Sequence, residues 1–191
     1  SQMVLRRGLL AAFPALLSGC ASWQAPGFHL PPLPPAPPGP YRLGPGDALN
    51  LRVFDQEQMS GSYHVDDGGN IDLPLLGLVQ AGGLSTDALA KAIASQLQAR
   101  QLILHPSVAV EIATYRPFYT LGEVTTPGPY PYRPGMTVLT AISIAGGFTY
   151  RAETAYVGVT RTIGSKAAQY RAPTTAMVLP GDVITVFERR F

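Results

Sequence analysis

The tripeptide Pro-Gly-Asp occurs twice in this chain, and each time an alternating apolar run follows it. At Pro45-Gly46-Asp47 the run is Leu49, Leu51 and Val53; at Pro180-Gly181-Asp182 it is Ile184 and Val186. Proline presets φ at the first central position of a turn and glycine accepts the positive φ of the second. The aspartate carboxylate can hydrogen-bond nearby backbone N–H groups. Alternation with a period of two then reads as a half-buried strand. A turn-and-strand device therefore stands at each end of the folded part. Gly44, Pro45, Gly46 and Asp47, with Pro180, Gly181 and Asp182, are turn-building residues, and both aspartates read as caps rather than catalytic acids.

Between these two devices, 20 glycines and 19 prolines in 191 residues favour short strands and frequent turns over a helical bundle. Tyr63 to Leu73 reads as a hairpin, with Asp66-Asp67-Gly68-Gly69-Asn70 at its turn. Asp67 and Gly68 are turn residues here, because the alternating oxygen ligands and closing Glu of an EF-hand are absent. Ser85 is a good N-cap, Leu84 can staple to Leu89, and Leu89, Ile93 and Leu97 form a stripe, so a helix is predicted over about 86–99. Val108, Val110 and Ile112 alternate as a strand. A second unit begins near 115: a strand from Phe118 to Val124, a turn at Thr125-Thr126-Pro127-Gly128, and a short return from Tyr130 to Tyr132. Thr137 then caps a helix from Val138 to Ala145, stopped by Gly146-Gly147, and Val157 and Val159 precede the last strand. The fold class is α+β: a small mixed-sheet unit over 41–114 and a β-grasp-like unit over 115–191.

The N-terminus is an address. Arg6 and Arg7 precede the apolar run Gly8 to Leu17, which has the length of a signal-peptide core and is too short to span a bilayer. It ends in Leu17-Ser18-Gly19-Cys20, a sequence like the bacterial lipobox, so residues 1–19 are expected to be a signal peptide and Cys20 a lipidated mature N-terminus. Ala21 at the next position favours the outer membrane over retention at the inner one. Cys20 is the chain's one cysteine, which excludes an internal disulfide. Prolines dominate the segment that follows, so 20–40 is expected to be a stiff polyproline spacer between lipid and folded protein. Without Arg6 and Arg7 the 14 basic residues become 12, equal to the 12 acidic ones. That balance, with scattered arginines, gives no footprint for nucleic acid. His29, His64 and His105 lack the spaced companions of a metal motif, and neither metal nor cofactor is expected.

Taken in order, several segments resemble the bacterial outer-membrane polysaccharide export family. Tyr41-Arg42-Leu43-Gly44-Pro45-Gly46-Asp47, the run from Asp67 through Gly77, and His105-Pro106-Ser107-Val108 resemble its polysaccharide-export domain, over about 41–113. Leu121-Gly122-Glu123-Val124, Pro127-Gly128-Pro129-Tyr130, Ala145-Gly146-Gly147-Phe148-Thr149 and Leu179-Pro180-Gly181-Asp182 resemble the soluble-ligand-binding β-grasp domain that follows it. The resemblance implies a homo-oligomeric ring, an octamer in the well-known capsule translocon, lying in the periplasm and passing polysaccharide through its lumen. It implies an inner-membrane polysaccharide co-polymerase, often with a tyrosine-kinase domain, as partner. Longer members continue into an amphipathic helix that forms the membrane pore; here the sequence stops at Phe191, which is read as a short family type.

Two readings compete with a transport ring. Glycan hydrolysis requires facing carboxylates, and Asp55, Glu57, Asp66 and Asp72 are the candidates; their strand and turn settings explain them structurally, so no catalytic residue is assigned. A monomeric glycan-binding lipoprotein would use Tyr115, Tyr119, Tyr130 and Tyr132 as stacking platforms, although the same tyrosines suit a core or a subunit interface.

Overall fold

A computed structural model describes residues 24–190; the signal segment and Cys20 lie outside the described residues. The chain is α+β, built on two hydrophobic clusters that share no residue. In the first unit, β1 (Ala48–Val53) is central to an antiparallel sheet between β2 (Gly61–His64) and β5 (Val108–Thr114). Leu49, Leu51 and Val53 point inward and are buried, as their alternation predicts. Helix α1 (Thr86–Ala99) has the expected bounds, and the Ser85 side chain accepts a hydrogen bond from the Ala88 N–H. Its stripe of Leu89, Ile93 and Leu97 is fully buried.

The expected hairpin over 63–73 is corrected. The turn at Asp66–Asn70 exists, with the Asp66 Oδ1 accepting from the Asn70 N–H at 2.8 Å. It does not join paired strands, however: β2 pairs with β1, whereas β3 (Asn70–Leu73) pairs with β4 (Gly77–Gln80) in a separate two-stranded ribbon. The hairpin is thus one step later in the chain, turning at Pro74–Leu76. Alternation of Val65 and Ile71 marks strands but not their partners.

In the second unit, β6 (Phe118–Gly122) and β10 (Val183–Val186) are parallel neighbours at the centre of a five-stranded sheet. The hairpin to β7 (Gly128–Tyr130) flanks β6, and the hairpin of β8 (Tyr156–Ile163) and β9 (Lys166–Pro173) flanks β10. Helix α2 (Val138–Ile144), capped by Thr137, buries Val138, Ala141 and Ile142 in this unit's core. First and last strands parallel in the middle, hairpins outside and a helix on the sheet make the β-grasp arrangement. Strand β6 stops at Gly122, short of Val124, because Gly122 has φ +85° and a Cβ there would lie 2.1 Å from the Val186 carbonyl oxygen. The return strand spans 128–130 instead of 130–132. Strand β9 is additional; its signal was the Gly164-Ser165 pair between Ile163 and Lys166.

The proline-rich segment is not a spacer along its whole length. Residues 26–33 lie against the second unit: the Arg171 N–H donates to the Pro31 carbonyl at 2.7 Å, and the Leu33 N–H donates to the Arg171 carbonyl at 2.8 Å. The Arg171 guanidinium sits 4.5 Å from the Phe28 ring centroid, and the Tyr156 hydroxyl donates to the Pro26 carbonyl at 2.8 Å. The arm thus meets the outer edge of β9 at Arg171 with a proline-bearing segment that offers few further donors. Only after it, through exposed residues 35–40, does the chain enter the first unit.

Each buried aliphatic of the α1 stripe contributes about 1.5–3 kcal/mol. Ile93→Ala is expected to lower unfolding stability by about 2–5 kcal/mol, read as a lower denaturation midpoint in urea at unchanged slope.

Candidate functional site

Sheet topology brings both Pro-Gly-Asp turns to one place. Strand β1 runs antiparallel to β5, so its first residue, Ala48, lies opposite Thr114, the last residue of β5. Strand β10 runs parallel to β6, so Val183 lies opposite Tyr119. The linker Tyr115-Arg116-Pro117 joins β5 to β6 and is therefore flanked by the turn that leads into β1 and the turn that leads into β10.

The two turns are built alike. Asp47 Oδ2 accepts from the Gly44 N–H at 2.9 Å, and Asp182 Oδ2 from the Leu179 N–H at 2.7 Å. Each aspartate N–H returns to the carbonyl three residues back, at 3.2 and 3.1 Å. Both carboxylates are buried, and each accepts a backbone N–H of its own turn. Each also holds an arginine from elsewhere, which local spacing does not reveal. Asp182 receives a bidentate fork from Arg161 of β8, at 3.0 Å from Nε and 2.7 Å from Nη2. Asp47 receives the Arg116 N–H at 2.8 Å, Arg116 Nη1 at 3.2 Å and the Tyr41 hydroxyl at 2.8 Å.

Arg116 binds both sides. Its Nη1 donates to the Tyr41 hydroxyl at 2.6 Å, and its side chain packs so closely on both turns that a Cβ at Gly44 would fall 2.6 Å from Nη1 and one at Gly181 2.9 Å from Nε. The adjoining backbone is fixed too: the Gly181 N–H donates to the Pro117 carbonyl at 3.0 Å and the Tyr119 N–H to the Asp182 carbonyl at 2.9 Å. Tyr41, Tyr115 and Tyr132 form an edge-to-face row beside this clamp, with centroid separations of 5.0 and 5.2 Å. Burial raises the Tyr41 phenol well above its usual value, and the Asp47 carboxylate adds to the shift against the lowering effect of Arg116. Burial likewise raises Tyr132, with smaller contributions from Tyr115 and Asp182.

The four tyrosines singled out in the sequence do not form one platform. Tyr115 and Tyr132 meet at the junction. Tyr130 stacks on Phe118 at 6.0 Å and donates its hydroxyl to the Thr126 carbonyl, while Tyr119 is exposed on β6 opposite Pro129. Sequence reasoning missed Tyr41, Arg116 and Arg161 as members of the cluster. Asp67 and Gly68 are exposed at the β2–β3 turn, and Asp55, Glu57, Asp66 and Asp72 are exposed as well. His29 lies in the N-terminal arm, His64 on β2 and His105 before β5. Among the described residues, no three His, Cys, Asp or Glu side chains are grouped to hold a metal ion, and no helix is long and apolar enough to cross a membrane.

Comparison with known proteins matches residues 35–113 to the family described as polysaccharide biosynthesis/export protein, and residues 117–168 to the SLBB domain. In that order, the two matched regions resemble the domain pair of polysaccharide export proteins. The two matches meet at the Arg116 linker. The exopolysaccharide production protein ExoF of Rhizobium meliloti (strain 1021) is 42% identical over 118 residues, 56% of this chain and 28% of the relative. The EPS I polysaccharide export outer membrane protein EpsA of Ralstonia nicotianae (strain ATCC BAA-1114 / GMI1000) is 25% identical over 184 residues, and its namesake from Ralstonia solanacearum 26% over 188. Each of these EpsA alignments covers 78% of this chain and 48% of the relative. The chain therefore spans about half the length, or less, of the curated relatives it matches.

Two outcomes follow from the clamp. Asp182→Ala leaves the Arg161 guanidinium buried without its partner and is expected to cost about 3–5 kcal/mol, seen as a fall in thermal midpoint. For Tyr41, a folded phenol value raised above the unfolded 10 favours the protonated folded state. Its stabilising contribution is complete below pH 10 and declines as pH climbs from there toward the folded value. Tyr41→Phe should therefore unfold less steeply with pH above about 10, measured by circular dichroism across an alkaline series.

Proposed function

We propose that this protein is a lipid-anchored outer-membrane subunit that assembles into a periplasmic ring and passes capsular or extracellular polysaccharide out of the cell, without catalysing a reaction. The observation that carries this reading is the pairing of an export domain with an SLBB domain, in that order, in a chain whose relatives are named for exopolysaccharide production and for polysaccharide export at the outer membrane. The clamp at Arg116 supports it mechanically. A ring wall made of two stacked units per subunit keeps one lumen only if the units hold a fixed relation. A buried carboxylate bound to the linker backbone and to its arginine side chain resists hinge motion there.

The division of labour follows the notional boundary at 114/115: residues 41–114 as export unit, 115–191 as SLBB unit, with the arm at 26–33 attached to the latter. Cys20 is the proposed lipid site, and Ala21 beside it the reason for outer-membrane sorting. Five residues separate Cys20 from Pro26, a span of at most about 22 Å when fully extended. Several acyl chains on Cys20 would thus hold the SLBB unit near the inner leaflet and leave the export unit deeper in the periplasm, facing a polysaccharide co-polymerase.

The decisive comparison is polymer in the medium against polymer retained by cells, in a strain without this gene and in strains complemented with wild type or Cys20→Ala. Secretion abolished by deletion and restored only by the wild type is the expected result; unchanged secretion in the deletion strain would sink the transport reading. The native mass of the detergent-extracted protein separates a ring from a monomeric glycan-binding lipoprotein, since a ring gives several times the 20.3 kDa of one chain.

A further inference from the structure

The outer face of the first unit's sheet has a composition that its fold does not use. Alternation directs Asn50 and Arg52 of β1, Ser62 and His64 of β2, and Glu111 of β5 to this face, and all five are exposed. Neither α1 nor any other described element covers them. Register sets Asn50 beside both Ser62 and Glu111, so these three form one row across the strands. Ser62 donates to Asn50 Oδ1 at 3.0 Å, so that bond leaves both donor hydrogens of the Asn50 amide unused. The floor between them is flat, because Ala109 and Ala113 are the other outward residues of β5.

At one end of this row stands an aromatic ring. Phe54 follows β1 directly, its N–H bonded to the Ser107 carbonyl at 3.0 Å as a continuation of the ladder, and it is 71% exposed. Alternation gives Phe54 the same side as Asn50 and Arg52. Arg52 lies opposite Ala109, so Glu111 is its diagonal neighbour, well within reach of a long side chain. Yet no ion pair joins them, whereas Arg116, Arg151 and Arg161 are each paired with a carboxylate. Among the described residues, Arg52, His64 and Glu111 thus have no ion-pair partner on a face that also presents an aromatic ring.

The chemistry of that set selects its ligand. Guanidinium is a donor only and carboxylate an acceptor only, and a hydroxyl satisfies both. A polyanion would meet Arg52 but be repelled by Glu111, and a protein surface would need more apolar area than one Phe provides. We propose that the outer face of β2-β1-β5 is a binding surface for an extended, neutral, hydroxyl-rich stretch of polysaccharide, with Phe54 stacking on a sugar ring and Arg52, Asn50 and Glu111 bonding its hydroxyls. The proposal rests on the export reading and supplies it with a polymer contact; exposed contacts of this kind are weak singly, which suits a chain that must keep moving.

The test is amide NMR of the protein titrated with uncharged hexasaccharides of glucose and of galactose, and with hexagalacturonate as the acidic counterpart. Shifts centred on β1, β2 and β5 for a neutral sugar are expected, weakened about five-fold or more by Phe54→Ala and also by Arg52→Gln with Glu111→Gln, while the remaining spectrum keeps the native fold. Absence of shifts with every sugar, binding confined to the acidic one, or shifts centred on Tyr119 and the second unit would each overturn it. The same variants returned to the deletion strain keep the two ideas apart: full secretion alongside absent binding removes this surface but leaves the export role intact.

Discussion

A single buried carboxylate, that of Asp47, organises the centre of this molecule. It closes its own turn through the Gly44 N–H, holds the Tyr41 hydroxyl, and binds both the backbone and the side chain of Arg116. Desolvating a carboxylate is expensive unless its lone pairs are all engaged. Here they are, and the partners come from two stretches of chain, the turn segment 41–47 itself and the linker at Arg116. The linker cannot pivot without breaking several of these bonds together, and the turn cannot open without stranding the charge.

The second turn extends the arrangement without repeating it. Asp182 closes the same local geometry but gives its outward oxygens to Arg161, a residue of its own sheet, so this pair stiffens the β-grasp unit internally. The two turns meet through Gly181, whose lack of a side chain lets Arg116 pass. A larger residue at that point would push the guanidinium off Asp47 and Tyr41. The tyrosine row continues the contact, adding apolar area where the polar bonds end. Two small cores, each marginal by itself, are in this way made to move as a pair.

The N-terminal arm adds a second tie of a different kind. By pairing with β9 at Arg171 before the first unit begins, it makes the β-grasp unit discontinuous in sequence and shields that end of the sheet edge. The stacked Phe28 and Arg171 hold an arm whose prolines limit how many backbone bonds it can make.

Much of this was legible in the residues themselves. The bounds of both helices, their Ser85 and Thr137 caps, the buried stripes and the Pro-Gly-Asp turns follow from local rules, because caps, periodicity and positive-φ glycines act over a few residues. The order of the sequence motifs likewise matches the order of the two domains. What sequence could not give were partnerships across distance. Val65 and Ile71 marked strands, but only the tertiary structure decided that β3 pairs forward with β4 and not back with β2, since alternation fixes a face and says nothing of a neighbour. The proline segment announced extended backbone, whereas its docking on β9 depended on Arg171, some 140 residues later. Arg116 and Arg161 carry no local signature; they became partners of the two aspartates because parallel β6 and β10, and antiparallel β1 and β5, bring four strand ends to one linker.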